Sequence, residues 1–370
     1  MYKGEKMESN KILFSIIVPV YNTGKYINKC LTTIKNAINK DCEVIIVNDG
    51  STDNSEQVIK KFIQSLPNEY KDNFIYKFKE NKGLADTKNV GISLARGQYI
   101  SVIDSDDYIS EDFYDIARKH IKEGYEIIIY DLYIIFDKSC DEELKNYVGR
   151  AFNEEKENFK TGIISGAMQG SSCNKIIKKD LYKPYEFPTN KQYEDTAVTP
   201  FILMDTDKIK YVPYPLYYYL QREKSIVATN TYITAFYKIC ENITNQLENR
   251  KNNVKYEEVI KEFFVERSLE IMYDDYNKTK NKKEFLTKLK DFNEKNKKTI
   301  QYVLDKKMVY DETNHYSPRQ RELLNRIFQD IYDEKYENIN KNFFKRKLVN
   351  YLREIYRAFI QLIKVVIRRA

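Results

Sequence analysis

Three carboxylates, Asp104, Asp106 and Asp107, fall within the four residues Asp104-Ser105-Asp106-Asp107, directly after the run Gln98-Tyr99-Ile100-Ser101-Val102-Ile103. That run is short, apolar and rich in β-branched and aromatic residues, which reads as a buried strand of a parallel sheet. The acids therefore stand at a strand's carboxyl end, where open α/β sheets bind their ligands. Carboxylates this close repel one another and do not all ionise without a compensating cation. A hard divalent ion such as Mg²⁺ or Mn²⁺ answers that need, because it takes a few carboxylates together with phosphate oxygens and water. An isolated Asp-x-Asp is more often a helix N-cap with an acid in the first turn. Here the segments upstream weigh against that plainer reading.

Other chemistries have less to build on. His120 and His315 are the only histidines and neither adjoins a nucleophile motif, so a histidine metal centre or triad is not supported. Cys30, Cys42, Cys140, Cys173 and Cys240 are odd in number and scattered, which points to reduced thiols rather than a disulfide framework or a zinc site.

The elements that would carry the acids alternate strand and helix, the signature of βαβ units. Phe14 to Val20 reads as the first strand. Asn22-Thr23-Gly24 reads as a turn and N-cap to a helix with Ile27, Leu31, Ile34 and Ile38 on one face. Glu43 to Val47 is the second strand, and a helix with Val58, Phe62 and Leu66 follows the loop Asn48 to Asp53. Phe74, Tyr76 and Phe78 alternate as a third strand. Leu84 to Ala95 is helical, and Gly97 is expected to close it as a C′ glycine. Right-handed crossovers bring the loops after the first, second and fourth strands to one edge. Glu126 to Phe136 is a further strand, 140–170 a polar insertion near the crevice, and Asn174 to Ser225 a set of short elements punctuated by prolines.

Four segments in order resemble family 2 glycosyltransferases of the GT-A fold. They are Ile17-Val18-Pro19-Val20-Tyr21-Asn22; Val47-Asn48-Asp49-Gly50-Ser51-Thr52-Asp53; Asn81-Lys82-Gly83-Leu84 leading to Asn89-Val90-Gly91-Ile92; and Asp104-Ser105-Asp106-Asp107. The likeness covers about residues 13–228. It implies an α/β fold: a Rossmann-like, mostly parallel sheet with flanking helices, followed by a C-terminal helical region.

The resemblance also implies roles. Pro19 and Tyr21 would wall the base of a nucleotide-sugar donor, and Asp49 would read the uracil imide, its plainer role being to stabilise the turn at Gly50. Lys82 and Lys88 would lie near the diphosphate. The family commonly has arginine where Lys88 stands, so the charge is kept and the bidentate fork lost. Asp104 would hold the ribose hydroxyl and, with Asp106, the Mn²⁺ or Mg²⁺ ion. Gln192-Tyr193-Glu194-Asp195-Thr196, preceded by Asn174-Lys175, resembles the family's Glu-Asp motif; Asp195 would be the base and Glu194 its orienter. Cys173 stands where the family often has tryptophan, and the chain has none. Arg222, in Tyr217 to Ser225, would reach the diphosphate or remain a surface residue.

These roles describe an inverting transferase moving a hexose or N-acetylhexosamine, from a UDP sugar, to a glycan acceptor on a lipid carrier in surface polysaccharide synthesis. A donor-binding scaffold without catalysis is the alternative; the intact acids argue against it. A sugar nucleotidyltransferase would need a glycine-rich, lysine-bearing loop where Pro19-Val20-Tyr21-Asn22 stands.

Length and charge suggest 1–229 as the catalytic domain, 230–340 as helical, and 341–370 as a basic tail. That tail holds nine lysines and arginines against the single acid Glu354, while the chain as a whole carries +7. Phe344, Leu348, Leu352, Phe359, Leu362 and Val366 recur in it at helical steps, as in a helix lying on an anionic membrane; the plainer reading is a helix docked on the core with a solvated basic face. Nucleic acid is not expected as a partner, since no recognition motif accompanies the charge. With no secretory leader or transmembrane run legible, the expected location is cytoplasmic, peripheral at the inner face of the cell membrane.

Overall fold

The computed structural model describes residues 12–137, 147–149, 171–189, 193–222, 282–305, 326 and 329–336. The chain divides into two compact units, Met1–Lys251 and Asn252–Ala370.

In the first unit, β1 (Phe14–Val20) and β2 (Cys42–Asp49) are buried along their whole length. Continuous apolar runs of this kind belong to a sheet covered on both faces. Helix α1 (Ile27–Ala37) follows β1, and α2 (Ser55–Ser65) and the single-turn α3 (Asn68–Lys71) follow β2. Then come β3 (Phe74–Lys79), α4 (Leu84–Leu94), β4 (Tyr99–Val102), the two-residue β5 (Tyr108–Ile109) and α5 (Phe113–Lys122). Next are β6 (Ile127–Phe136), β7 (Tyr147–Gly149), β8 (Lys175–Lys178), α6 (Thr199–Met204) and β9 (Ile209–Gln221). Alternate residues of β1 serve opposite faces. Phe14, Ile16 and Val18 pack with α1, α2 and α5, whereas Ile17 joins Ala85 of α4 and Ile202 and Leu203 of α6. Each such burial contributes about 1.5–3 kcal/mol.

The strands form one sheet in the order β3-β2-β1-β4-β8-β6-β9-β5, with β7 beside β6. The first four are parallel, as expected. Beyond β4 the sheet is mixed: β8 runs antiparallel to both β4 and β6, β6 and β9 are parallel, and β5 returns antiparallel on β9. The reversal matters because Tyr99 pairs with Lys178 and Ser101 with Ile176. The residues that enter β8 are thereby delivered to the carboxyl end of β4, beside the acids.

Two local expectations are corrected. Gly97 is not a left-handed C′ residue: α4 ends at Leu94 with Ala95 extended, and only Gly50, Gly83 and Gly124 have positive φ among the described glycines. Gly97 is instead pressed on β1, where a Cβ would lie 2.6 Å from the backbone nitrogen of Ser15. Asn22-Thr23-Gly24 supplies no side-chain cap to α1. The backbone N–H groups of Tyr26 and Ile27 donate to the Thr23 carbonyl, and the Asn22 side chain turns to the neighbouring loop.

In the second unit, α7 (Lys282–Asp305) buries Leu289, Phe292 and Ile300, and Asn293 donates to the Tyr336 hydroxyl at 3.1 Å. The expected boundary near 230 lies outside the described residues, as do most of the 140–170 insertion and all of 341–370.

Candidate active site

The loops after β1, β2 and β4 are fastened to one another by short polar side chains. Asn22, at φ +51°, accepts from the backbone N–H groups of Thr52 (2.8 Å) and Asp53 (3.3 Å), and its own N–H donates to Ser51 Oγ. Thr23 Oγ1 donates to Ser105 Oγ at 2.9 Å, tying the first loop to the acidic turn. The convergence expected from right-handed crossovers is therefore physically locked.

In the acidic turn the three carboxylates have different surroundings. Asp107 is buried, accepting from the Tyr217 hydroxyl (2.7 Å) and the Leu220 N–H (2.8 Å) of β9. It anchors the strand that leads into Arg222. Asp106 is half-buried, and its Oδ2 accepts from Arg222 Nε at 2.6 Å. The Arg222 guanidinium also lies 5.5 Å from the Tyr26 ring centroid. Asp104 has its carboxyl pushed up to about 7 by burial; Lys88 opposes this, while Asp106, Asp195 and Glu194 add to it. Asp104 and Asp106 bring two hard carboxylate groups together just past the end of β4. That is the donor chemistry a divalent cation would satisfy, and Asp104 and Asp106 would be its ligands. Among the described residues no cluster of three or more His, Cys, Asp and Glu side chains is arranged to hold a metal by itself.

The second acid pair lies in a 3₁₀ turn, Glu194–Ala197, entered through Tyr193 in the left-handed conformation. Lys88 of α4 reaches across to it. Its ammonium is 2.7 Å from Glu194 Oε1 and 2.6 Å from Asp195 Oδ1, with the lysine side chain only 2% exposed. Burial alone would lower the Lys88 pKa, but Asp195, Glu194 and Asp104 hold it well above the ordinary value. Asp195 also accepts from Ser172 twice, the backbone N–H at Oδ2 and the hydroxyl at Oδ1, both at 3.0 Å. The loop that offers Ser172 is pinned in turn. Lys175 Nζ donates to the Ser171 carbonyl and to Asn174 Oδ1, and Asn174 Nδ2 donates to the Tyr130 carbonyl. Burial pushes Lys175 down to about 8. Gly91 explains how α4 comes close enough: a Cβ there would meet Ile17 of β1 at 2.3 Å.

Of the expected donor-side residues, Tyr21 is 50% exposed at the end of β1, while Pro19 is buried within that strand. Asp49 is 3% exposed, and its carboxylate accepts from Lys79 Nζ and from the backbone N–H groups of Lys82 and Gly83, each of the latter at 2.9 Å. It thus shapes the Asn81-Lys82-Gly83 turn and leaves Lys82 exposed. The structure brings together Asp104, Asp106, Lys88, Glu194, Asp195 and Arg222; it places Lys88 on the acid pair rather than in the turn with Lys82.

Residues 15–181 match the model of glycosyl transferase family 2. Glycosyltransferase GlyG of Streptococcus pneumoniae is 31% identical over 234 residues, covering 59% of this chain and 73% of that protein. The chain belongs to glycosyl transferase family 2. A longer relative, the minor teichoic acid biosynthesis protein GgaB of Bacillus subtilis, is 29% identical over 226 residues, covering 59% of this chain and 24% of that protein. A crystal structure of Staphylococcus aureus TarS residues 1–349 in complex with UDP-GlcNAc superposes with TM-score 0.63 at 22% identity, covering 88% of this chain and 92% of that one. The GT-A-like architecture is shared with it, and the protein is a glycosyltransferase.

Some residues of the glycosyltransferase's site were not singled out in the sequence. Ser172 grips Asp195 and Tyr217 grips Asp107, and Asn89 exchanges two hydrogen bonds with the backbone of Phe187, whose ring lies 5.2 Å from the Lys88 ammonium. Their sequence signals were slight: Ser172 stands near Asn174-Lys175, Tyr217 opens the tyrosine run, and Asn89 opens the segment Asn89-Val90-Gly91-Ile92. Cys30, Cys42 and Cys173 are free and buried. No described helix is long and apolar enough to cross a membrane.

Proposed function

We propose that this glycosyltransferase moves a hexose or N-acetylhexosamine from a UDP sugar to a hydroxyl of a glycan acceptor, on a lipid carrier in surface polysaccharide synthesis, with inversion at the anomeric carbon. The observation that carries the reading is that Asp195, in a 2.6 Å ion pair with Lys88, and Asp104, which feels the charge of the same ammonium, come from distant parts of the chain to one place.

In this reading Asp195 is the general base. Its Oδ1 is engaged by Lys88 and Ser172, and Oδ2 by one backbone N–H, so a lone pair on Oδ2 remains to receive the acceptor proton. The acceptor oxygen then attacks the anomeric carbon on the face opposite the departing UDP. Glu194 orients the pair through Lys88. Tyr21 offers its exposed ring to the uracil, and Lys82 and Arg222 are the cations able to reach the diphosphate. Asp104 and Asp106 would hold Mn²⁺ or Mg²⁺, which when bound supplies Lewis-acid stabilisation of the leaving diphosphate.

GgaB's teichoic acid role and TarS's UDP-GlcNAc complex support the substrate classes. The segment 341–370, outside the described residues, is read from its charge as a contact with anionic membrane at the inner face. The test is a panel of UDP-, GDP- and dTDP-sugars scored for thermal stabilisation with and without Mn²⁺. Stabilisation by UDP sugars that grows with Mn²⁺ is expected; a response to GDP or dTDP sugars alone would overturn the donor class.

A further inference from the structure

We propose that Lys88 is a positioning residue: its buried ammonium fixes the Glu194–Asp195 pair, and it takes no part in gripping the donor diphosphate. The inference rests on the reading of Asp195 as the base.

Lys88 has the charge to bind a diphosphate but not the access. Its side chain is 2% exposed, and its ammonium is engaged by two carboxylates at 2.6–2.7 Å, with Ser172 Oγ at 3.4 Å. Stripping a desolvated ammonium from two buried partners would leave both acids uncompensated, which is strongly unfavourable. The side chain is also held from outside. Gly91 lets α4 lie hard against Ile17, and the paired hydrogen bonds between Asn89 and Phe187 keep the Phe187 ring beside the ammonium.

Several elements around Asp195 present polar or charged groups. Lys88 comes from α4, Ser172 and Cys173 from the loop before β8, Lys175 from β8, Tyr182 from the 3₁₀ turn Lys179–Tyr182 that follows β8, and Glu194 from its own turn. Asp104 approaches from β4 and shares the field of Lys88. Among these, Lys88 is the cation in direct contact with Asp195. With Asp195 Oδ1 fixed, the remaining oxygen of a side chain that is 20% exposed is aimed at the acceptor. Loss of that aim costs chemistry and leaves donor affinity alone.

The experiment compares K88M, K88R and K88M/E194Q with wild type. Donor affinity is read by calorimetry with UDP and Mn²⁺, and chemistry by UDP release from whichever of UDP-glucose or UDP-GlcNAc is hydrolysed. K88M is expected to lose about 10²-fold in kcat, the scale of a small misplacement of a reacting group, with UDP affinity unchanged. K88R, which keeps the charge, should recover most of the loss. Weaker UDP binding with kcat preserved would overturn the inference and return Lys88 to the donor.

Should K88M fail to fold, the double variant removes one acid along with the cation. It is expected to bind UDP normally and react slowly, and wild-type turnover in it would overturn the inference. If neither folds, K88Q, which keeps a polar side chain without the charge, decides: normal UDP affinity with slowed turnover supports the inference, and weakened affinity with kcat preserved defeats it. D195N separates the two layers. Near-wild-type turnover in D195N takes down the base reading, and this inference with it. Slow D195N beside a K88M of full kcat sinks the Lys88 inference alone.

Discussion

Asp195→Asn separates binding from chemistry, and the structure sets the size of both effects. The substitution is isosteric but not isoelectronic. Asp195 accepts from Lys88 and the Ser172 hydroxyl at Oδ1 and from the Ser172 N–H at Oδ2. An asparagine can satisfy one side only: its amide nitrogen must face either the Ser172 N–H or the Lys88 ammonium. One hydrogen bond to a charged group is lost, about 1.5–3 kcal/mol, while Glu194 still neutralises Lys88. For a domain of this size that lowers the melting temperature by about 4–10 °C, leaving the protein folded. Loss of a positioned base removes about two to four decades of rate, equivalent to about 2.7–5.4 kcal/mol of barrier. UDP affinity should stay at the wild-type value, because no donor contact is touched. Calorimetry with UDP and Mn²⁺, a thermal melt and steady-state UDP release measure the three quantities. Near-normal turnover in a folded D195N would refute the assignment and move the base to Glu194.

Asp106→Asn removes an expected metal ligand and releases Arg222 from its 2.6 Å ion pair; UDP binding should lose its dependence on Mn²⁺ with the fold intact, and an undiminished dependence in calorimetry would count against the ligand role. Gly97→Ala drives a methyl to 2.6–2.7 Å from the backbone of Phe14 and Ser15 in the central strand. Backbone cannot yield as a side chain can, so the urea midpoint should fall by the equivalent of about 3 kcal/mol or more; an unchanged midpoint would show that β1 is less rigidly placed. Lys175 makes the high-pH prediction: its folded pKa of about 8 lies below the ordinary 10.5. Between those values the unfolded chain holds a proton the folded one has shed, so this group's contribution to stability rises with pH, by up to about 3 kcal/mol in all. The stability difference between wild type and K175M should therefore change steadily in wild type's favour from pH 8 to 10, and a flat difference would contradict it.

The residues of this chain determined a good deal without their neighbours. Unbroken apolar runs identify β1 and β2, and helical spacing identifies α1, because burial on both faces or one face leaves its period in the local sequence. The order of the four motifs and the carboxyl-end position of Asp104 and Asp106 were legible for the same reason. Tertiary structure decided what each charged side chain meets. Lys88 and Glu194 are 106 residues apart, and Asp106 and Arg222 are 116 apart. No spacing rule encodes such contacts, since they depend on β8 entering the sheet antiparallel beside β4 and on α4 closing over β1 at Gly91. Gly97 makes the same point: a glycine after a helix reads as a cap until the strand lying against it is seen. Periodicity reports which way a side chain points relative to its own element, whereas the partner of a buried charge is chosen by packing between elements distant in sequence.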